Sequence, residues 1–439
     1  MSEVVMPRER WSSRLGFLLA GIGSAVGLGN VWRFPYITGQ NGGVAFLIPY
    51  VISVLLLGIP LMMLEISVGR QFKRSVVSSM RSINGRLTWV GLFVVLVALL
   101  VLSYYLVVTG WTFAYFLYAL SGTEPVFEEF TRTYNSLLFF VVVTVLMALI
   151  VARGIRSGIE RTNQLLVPAF LILLLLLAVY ALALPRAVDG VLFYLTPDFT
   201  RLSDYSVWLA AFGQAFFSLS VGSGILITYG SYLDESVSLP SNMGIIALTD
   251  SFISFISGLV IFPIVFSFGF EPAAGPKLAF STLPYIFAQA QYGSVLAVLF
   301  YLLLFFAAIT SAISLLEVGV TVLVDETRLS RRTATALLAG VVLLLGVPSA
   351  LSYSRVGLQV LQMPVLDLMD PLFGTFAIIL AALFISVAAT WFVKKEVIVN
   401  QINQNARWQH GEQIFALIKF FIPFALTLIF IARIASYLV

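Results

Sequence analysis

Apolar residues along the 439-residue chain gather into eleven long stretches joined by polar connections. They lie at about 14–38, 43–70, 88–120, 136–153, 163–184, 206–231, 242–270, 294–324, 333–350, 366–393 and 411–437. Runs such as "VGLFVVLVALLVLSYYLVV" and "LLVPAFLILLLLLAVYALAL" reach the ~20 residues needed to cross ~30 Å of hydrocarbon. They are continuous rather than alternating in ~10-residue segments, which points to helices and away from an outer-membrane barrel. The pattern predicts an all-α polytopic membrane protein forming one domain over 1–439, with no soluble domain between spans. One connection, "FSTLPYIFAQAQYG", is apolar enough to lie as a hairpin over the external face.

Two of these stretches contain their own breaks. The first carries "GSAVGLGN" and the sixth "SLSVGSG", Ser218 to Gly224. If 14–184 and 206–393 are two five-helix halves and 411–437 an extra span, the breaks sit in the opening helix of each half. Paired interruptions at corresponding positions point to a transporter binding site, because non-helical backbone at mid-membrane persists only where it lines a cavity. The best-known instances of that rule belong to the family named below. Close helix packing through Gly23 and Gly27 would explain one such span. Two broken spans, one with Asn30 beside the break, favour the site.

Composition narrows the function. Charged residues make up 10% of the chain and hydrophobic ones 60%, against about 25% charged in soluble domains. There is no cysteine and one histidine, His410, in a polar linker. Thiol, disulfide, zinc and histidine-based catalysis lose their usual residues together, so the chain is not expected to be an enzyme. Seventeen Lys and Arg fall in alternate connections that include the N-terminal segment, and six in the others. The positive-inside rule places the N-terminus in the cytoplasm and, with an odd number of spans, the C-terminus outside. The net charge of +4 reports that topology, so nucleic-acid binding is not expected. The N-terminal "MSEVVMPRERWSSRLG" is too polar for a cleaved signal, and the expected location is the inner cell membrane.

The chemistry-bearing residues cluster at the breaks. A half-helix starting near Leu28 and Gly29 presents free N–H groups and a positive dipole end, which suit a carboxylate. Carbonyls freed around Gly23, Ala25 and Val26 need a cation, and Asn30 adds a side-chain oxygen. Ionisable residues inside spans are costly and hence functional candidates. Arg33 lies one turn outward of the break, and Asp370 opens the tenth span, where the two could form a latch. Asp250 in the seventh span sits among Thr249, Ser251 and Ser254 and reads as a hard-cation ligand or proton carrier. Glu65 and Glu317 read as polar staples between helices. Thr310 and Ser311 would complete an oxygen cage suited to sodium. Tyr104 and Tyr105 lie near mid-span, where a phenol needs a partner.

The segment "RERWSSRLGFLLAGIGSAVGLGNVWRFPYITGQNGGVAFLIPY" resembles the neurotransmitter:sodium symporter family closely. So do "GIPLMMLEISVGR", "GQAFFSLSVGSG" and "FFAAITS". The resemblance implies two inverted five-helix repeats, with spans 1 and 6 unwound at mid-membrane. It implies two Na+ sites, one of Ala25, Asn30, Ser218, Asp250 and the substrate carboxylate, the other of Gly23, Val26, Ala307, Thr310 and Ser311. The substrate carboxylate would meet the Leu28 and Gly29 amides and the Tyr105 hydroxyl. Its ammonium would meet oxygens of Ala25, Phe217, Ser218 and Ser220, and its side chain a pocket of Val101, Phe217, Ser223, Ser311 and Leu315. Arg33 and Asp370 resemble the external gate, with Tyr105 and Phe217 as lid. Arg8 and Asp325 resemble the internal gate, near Trp11 and Tyr232.

Three details refine this. Asp250 stands where many relatives have asparagine, beside the chloride-site equivalents Tyr50, Gln214, Ser218 and Ser254, so a fixed carboxylate predicts chloride independence. Ser223 stands where a leucine-binding relative has an aromatic, which enlarges the pocket for larger hydrophobic or aromatic substrates. Gly158 and Pro168 weaken the start of the fifth span, a spacing that resembles a family motif for cytoplasmic water access. The expectation is sodium-coupled uptake of a zwitterionic amino acid. The rivals are a proton-coupled transporter on the same fold and a non-transporting amino-acid sensor. The expected partners are the substrate and the lipid bilayer, with homodimerisation left open.

Overall fold

The computed structural model describes residues 8–270, 278–327 and 329–438. Lys277 and Arg328, two of the charges used for topology, lie outside the described residues. Among the described residues, eight helices are long and apolar enough to cross a membrane, and a bent pair makes a ninth. The expected fourth span is the shorter apolar helix Asn135–Val151, and the sixth is divided into Tyr205–Ser218 and Ile225–Gly230. Every expected span therefore has a helical counterpart, although length and composition alone certify eight or nine.

The centre of the bundle is a pair of 34-residue helices, Thr88–Ser121 and Gly293–Glu326, packed against each other. At 1.5 Å per residue each runs for about 50 Å, longer than the bilayer core, so both project beyond it. The half-helix Ile225–Gly230 lies against the second span, Ile59–Phe72. That approach requires glycine, because a Cβ on Gly230 would stand 2.6 Å from the Ile66 carbonyl oxygen.

The breaks have local causes. Ser13 caps Arg14–Ala25 by accepting from the Gly16 N–H at 2.9 Å, a normal N-cap. Val26 then turns extended, and helix resumes at Gly29–Gln40 after a 57° bend. In the sixth span, Ser220, Gly222 and Gly224 all take positive φ, which ends the helix after Ser218. The tenth span, Val365–Trp391, passes after its first helical turn into an eight-residue π-helical stretch, Asp370–Ala377. The Gly158–Pro168 region is helical throughout: Gly158 lies in the π-turn Ile155–Glu160 and Pro168 inside Arg161–Leu182.

Candidate functional site

The first break creates a concentration of carbonyl oxygens. The Gly27 N–H, which would return to the Gly23 carbonyl in a continuous helix, donates instead to Asn30 Oδ1 at 2.9 Å. Ser311 Oγ lies 3.3 Å from the Gly23 carbonyl, 3.3 Å from Ser24, 2.9 Å from Val26 and 3.2 Å from Ala307. One hydroxyl proton cannot satisfy four acceptors. Thr310 Oγ1 adds a further oxygen, 2.9 Å from the Phe306 carbonyl and 3.1 Å from Ala307. Ser24 also accepts from Ser220 Oγ and Ala307 from Thr310 Oγ1, so the shortfall falls on the Gly23 and Val26 carbonyls, a buried partial negative charge that fits a small hard cation. Among the described residues no three His, Cys, Asp or Glu side chains group to hold a metal, so a cation here would rest mainly on neutral oxygens.

A second polar cluster joins spans one, six and seven. Asn30 Nδ2 donates to Asp250 Oδ1 at 2.7 Å, to Ser254 Oγ at 2.8 Å and to Ser218 Oγ at 3.0 Å. Ser218 Oγ donates to Asp250 Oδ2 at 2.6 Å. All four side chains are buried. Asn30 thus turns its donor, not its oxygen, towards Asp250. Offering that oxygen to a cation requires rotating the amide by half a turn.

The remaining sequence candidates fall around these clusters. Tyr105 Oη accepts from the Leu28 N–H at 3.5 Å, and Gly29 lies against the Phe217 ring. Ser220 Oγ donates to the Ser24 carbonyl at 2.9 Å, which ties the two breaks together, and Ser223 Oγ donates to the Ser220 carbonyl at 2.6 Å. Ala25, Val101 and Leu315 are buried, the last two on the paired central helices.

The gate candidates behave differently at the two ends. Arg8 Nη1 reaches both Asp325 oxygens, at 2.6 and 2.8 Å, and Arg8 Nη2 donates to Ser231 Oγ at 2.7 Å. Its guanidinium also lies 4.9 Å from the Tyr232 ring centre, and Trp11 Nε1 donates to the Tyr229 carbonyl at 3.1 Å. Arg33 and Asp370, expected as a latch, form no ion pair within 4 Å. Arg33 stacks 4.7 Å from the Phe217 ring centre, and Asp370 Oδ1 accepts from Tyr104 Oη at 2.9 Å. Cation–π contact and a phenol hydrogen bond satisfy the two charges separately.

A model of the sodium:neurotransmitter symporter family matches residues 8–137 and 129–439, nearly the whole chain. The chain belongs to that family. It is therefore a multi-pass membrane transporter and not an enzyme. The symporter is 36% identical over 428 residues to an uncharacterized sodium-dependent transporter of Methanocaldococcus jannaschii, covering 91% of this chain and 85% of the relative. It is 33% identical over 440 residues to another from Bacillus subtilis, covering 96% and 97%. Among solved structures it is similar to MhsT in complex with L-phenylalanine, with TM-score 0.88, 36% identity and coverage of 97% of this chain and 100% of that one.

The partners of two buried carboxylates of this symporter escaped sequence reasoning. Glu65 ties the second span to the sixth, but at the break and not helix to helix: its Oε1 accepts from the Gly222 N–H at 2.6 Å and so compensates an amide that lost its helical partner. Glu317 pairs with Arg331 and accepts from Tyr232 Oη at 2.7 Å, extending the Arg8–Asp325 network. A carboxylate within an apolar run signals burial, but its partner is fixed only by tertiary structure.

Proposed function

We propose that this symporter takes up a zwitterionic hydrophobic or aromatic amino acid with two Na+ per substrate, independently of chloride, by alternating access. The observation that carries the reading is the cage at Ser311, where four carbonyl oxygens converge within 3.3 Å of one hydroxyl. One ion is assigned to Gly23, Val26, Ala307, Thr310 and Ser311. The other is assigned to Ala25, Asn30, Ser218 and Asp250, with the Asn30 amide turned and the substrate carboxylate completing the shell. That carboxylate would also meet the Leu28 and Gly29 amides and Tyr105. An ammonium group would meet the Ala25, Phe217, Ser218 and Ser220 oxygens. Val101, Phe217, Ser223, Ser311 and Leu315 would enclose the side chain, and a complex of similar MhsT with L-phenylalanine supports an aromatic one.

The two halves, 14–184 and 206–393, are assigned as the moving repeats. Arg8–Asp325 would be the cytoplasmic gate, and Arg33 with Asp370 the external one. Each net charge moved inward gains ~2.3 kcal/mol per 100 mV, so two contribute about 4.6 kcal/mol, more than a thousandfold accumulation. The test is uptake of labelled amino acids into proteoliposomes, with sodium or potassium outside and chloride or gluconate as anion. Uptake of L-phenylalanine that needs sodium and ignores chloride is the expected result. Uptake that persists without sodium overturns the ion assignment in favour of proton coupling, and binding without uptake favours a sensor.

A further inference from the structure

Oxygen-bearing side chains on the fifth span lead away from the Ser311 cage towards the Arg8 end. The first is Asn163, fully buried on the helix Arg161–Leu182. Its Nδ2 donates to the Ile159 carbonyl at 2.9 Å, which turns the amide oxygen away from its own helix. Asn163 Oδ1 has no hydrogen-bond partner among the described residues. It lies instead against the first break, where a Cβ on Gly23 would stand 2.0 Å from it, so only glycine admits the approach. The carbonyl of that same Gly23 belongs to the cage. A buried acceptor left unmade costs the desolvation of the group, which an apolar side chain of similar shape would avoid. Packing alone does not account for an amide here.

Two features continue the line on either side. On the cage side the packing is incomplete. A gap of about 10 Å³ separates Gly23, Val26, Ala307 and Thr310 from Leu166 and Val167 of the fifth span, about the room one water needs. Val167 lies one turn beyond Asn163 on the same face. On the other side, Glu160 lies one turn before Asn163 and is buried. It accepts from the Ser12 N–H at 2.8 Å, from Ser12 Oγ, and from Ser13 Oγ and Gln164 Nε2 at 3.3 Å. Every one of these donors is neutral, whereas buried carboxylates are ordinarily paired with a cation or bound to a metal.

We propose that Asn163 Oδ1 is a relay ligand for sodium, which takes the ion as it leaves the Ser311 cage and passes it to the Glu160 carboxylate. The proposal rests on the assignment of an ion to that cage. An amide oxygen and a carboxylate are hard donors suited to such a cation, and with one turn between them the ion is never left among apolar side chains alone. Its passage also acts on the first span. Ser12 and Ser13, which Glu160 holds, precede Arg14–Ala25, and Ser13 caps that helix. A cation on Glu160 competes with their hydrogen bonds, so the departing ion loosens the N-terminal segment on its way out.

The test is release of radioactive sodium from the purified full-length protein, followed after dilution into potassium buffer with L-phenylalanine saturating the central site. Asn163→Leu, close in size but without the oxygen, should slow release at least about tenfold, the factor expected for one lost ligand to a charged group. Asn163→Asp places a charge at the relay and should tighten sodium half-saturation by at least about tenfold. A packing role predicts the reverse order, with leucine tolerated and aspartate harmful, and the thermal unfolding midpoint certifies each variant's fold. Wild-type release from folded Asn163→Leu, or wild-type half-saturation in folded Asn163→Asp, would overturn the proposal. Ser311→Ala judges the cage separately. If it loses sodium affinity while both Asn163 variants behave as wild type, the cage stands and the relay falls. If it binds sodium as wild type while the Asn163 variants shift as expected, the cage assignment falls and Asn163 stands as a sodium ligand.

Discussion

Asp250→Asn tests the ion assignment most directly. The carboxylate is fully buried, with its oxygens 2.7 Å from Asn30 Nδ2 and 2.6 Å from Ser218 Oγ. A cation held by Asn30 and Ser218 would sit roughly 4 Å from the carboxylate centre, worth about 4 kcal/mol at an effective dielectric of ~20. Asparagine keeps one oxygen ligand and the hydrogen bonds to neutral partners, so a fraction of that energy, about 1.5–3 kcal/mol, is the expected loss. Sodium half-saturation of uptake should rise ~10- to 150-fold in gluconate. Chloride should then restore much of it. Gln214, one turn before Ser218, has both amide atoms buried and without a hydrogen-bond partner among the described residues, and the Tyr50 hydroxyl faces Asp250, so donors for an anion stand ready once the fixed charge is removed. The assay is uptake against sodium concentration in chloride and in gluconate, for wild type and variant. An unchanged half-saturation in gluconate would refute the reasoning.

Two further substitutions probe other parts of the assembly. Ser311→Ala removes the hydroxyl shared by four carbonyls and should raise sodium half-saturation about tenfold, since a hydrogen bond or ligand to a charged group contributes ~1.5–3 kcal/mol; unchanged sodium dependence would show that the ion binds elsewhere. Glu317→Gln strips the charge that holds Arg331 and Tyr232, and breaking a buried pair costs ~3–5 kcal/mol. Because the chain has no cysteine, one introduced by Val322→Cys reports on that end: alkylation should quicken at least about tenfold in the Glu317→Gln background, and an equal rate would exclude the network as a lock.

Much of the fold was legible because a bilayer leaves few options. Continuous apolar runs located the long helices, and the glycines of "GSAVGLGN" and "SLSVGSG" marked both breaks within a residue or two. What stayed hidden depends on groups brought together from distant segments. The short helix Ala187–Leu195 packs on Leu239–Ser267, yet its nine residues are too few to register as a span. That Asn30 Nδ2 donates to Asp250 while its Oδ1 accepts from the Gly27 N–H is set by how the first break folds, which no residue spacing encodes. The Arg33–Asp370 latch was inferred from opposite charges at one depth, but Phe217 and Tyr104 lie nearer to each.

The asymmetry between the two ends bears on how ions could drive the cycle. At the Arg8 end, an ion pair, a cation–π contact and a second carboxylate–arginine pair run without interruption from the N-terminal segment into Gly293–Glu326. At the Arg33 end the corresponding charges are held apart on Phe217 and Tyr104. Moving Arg33 onto Asp370 exchanges those contacts for others of similar strength, whereas parting Arg8 from Asp325 exposes partly buried charges. On the proposed topology the inward step thus meets the larger barrier. The Ser311 cage links the first break to the same Gly293–Glu326 helix that anchors the Arg8 network. A cation in the cage would hold Arg14–Ala25 against that helix, and its departure would remove one tether before the charges separate. Sodium bound there would favour the form closed at the Arg8 end, and its release would permit opening, which couples ion movement to gating through one shared helix.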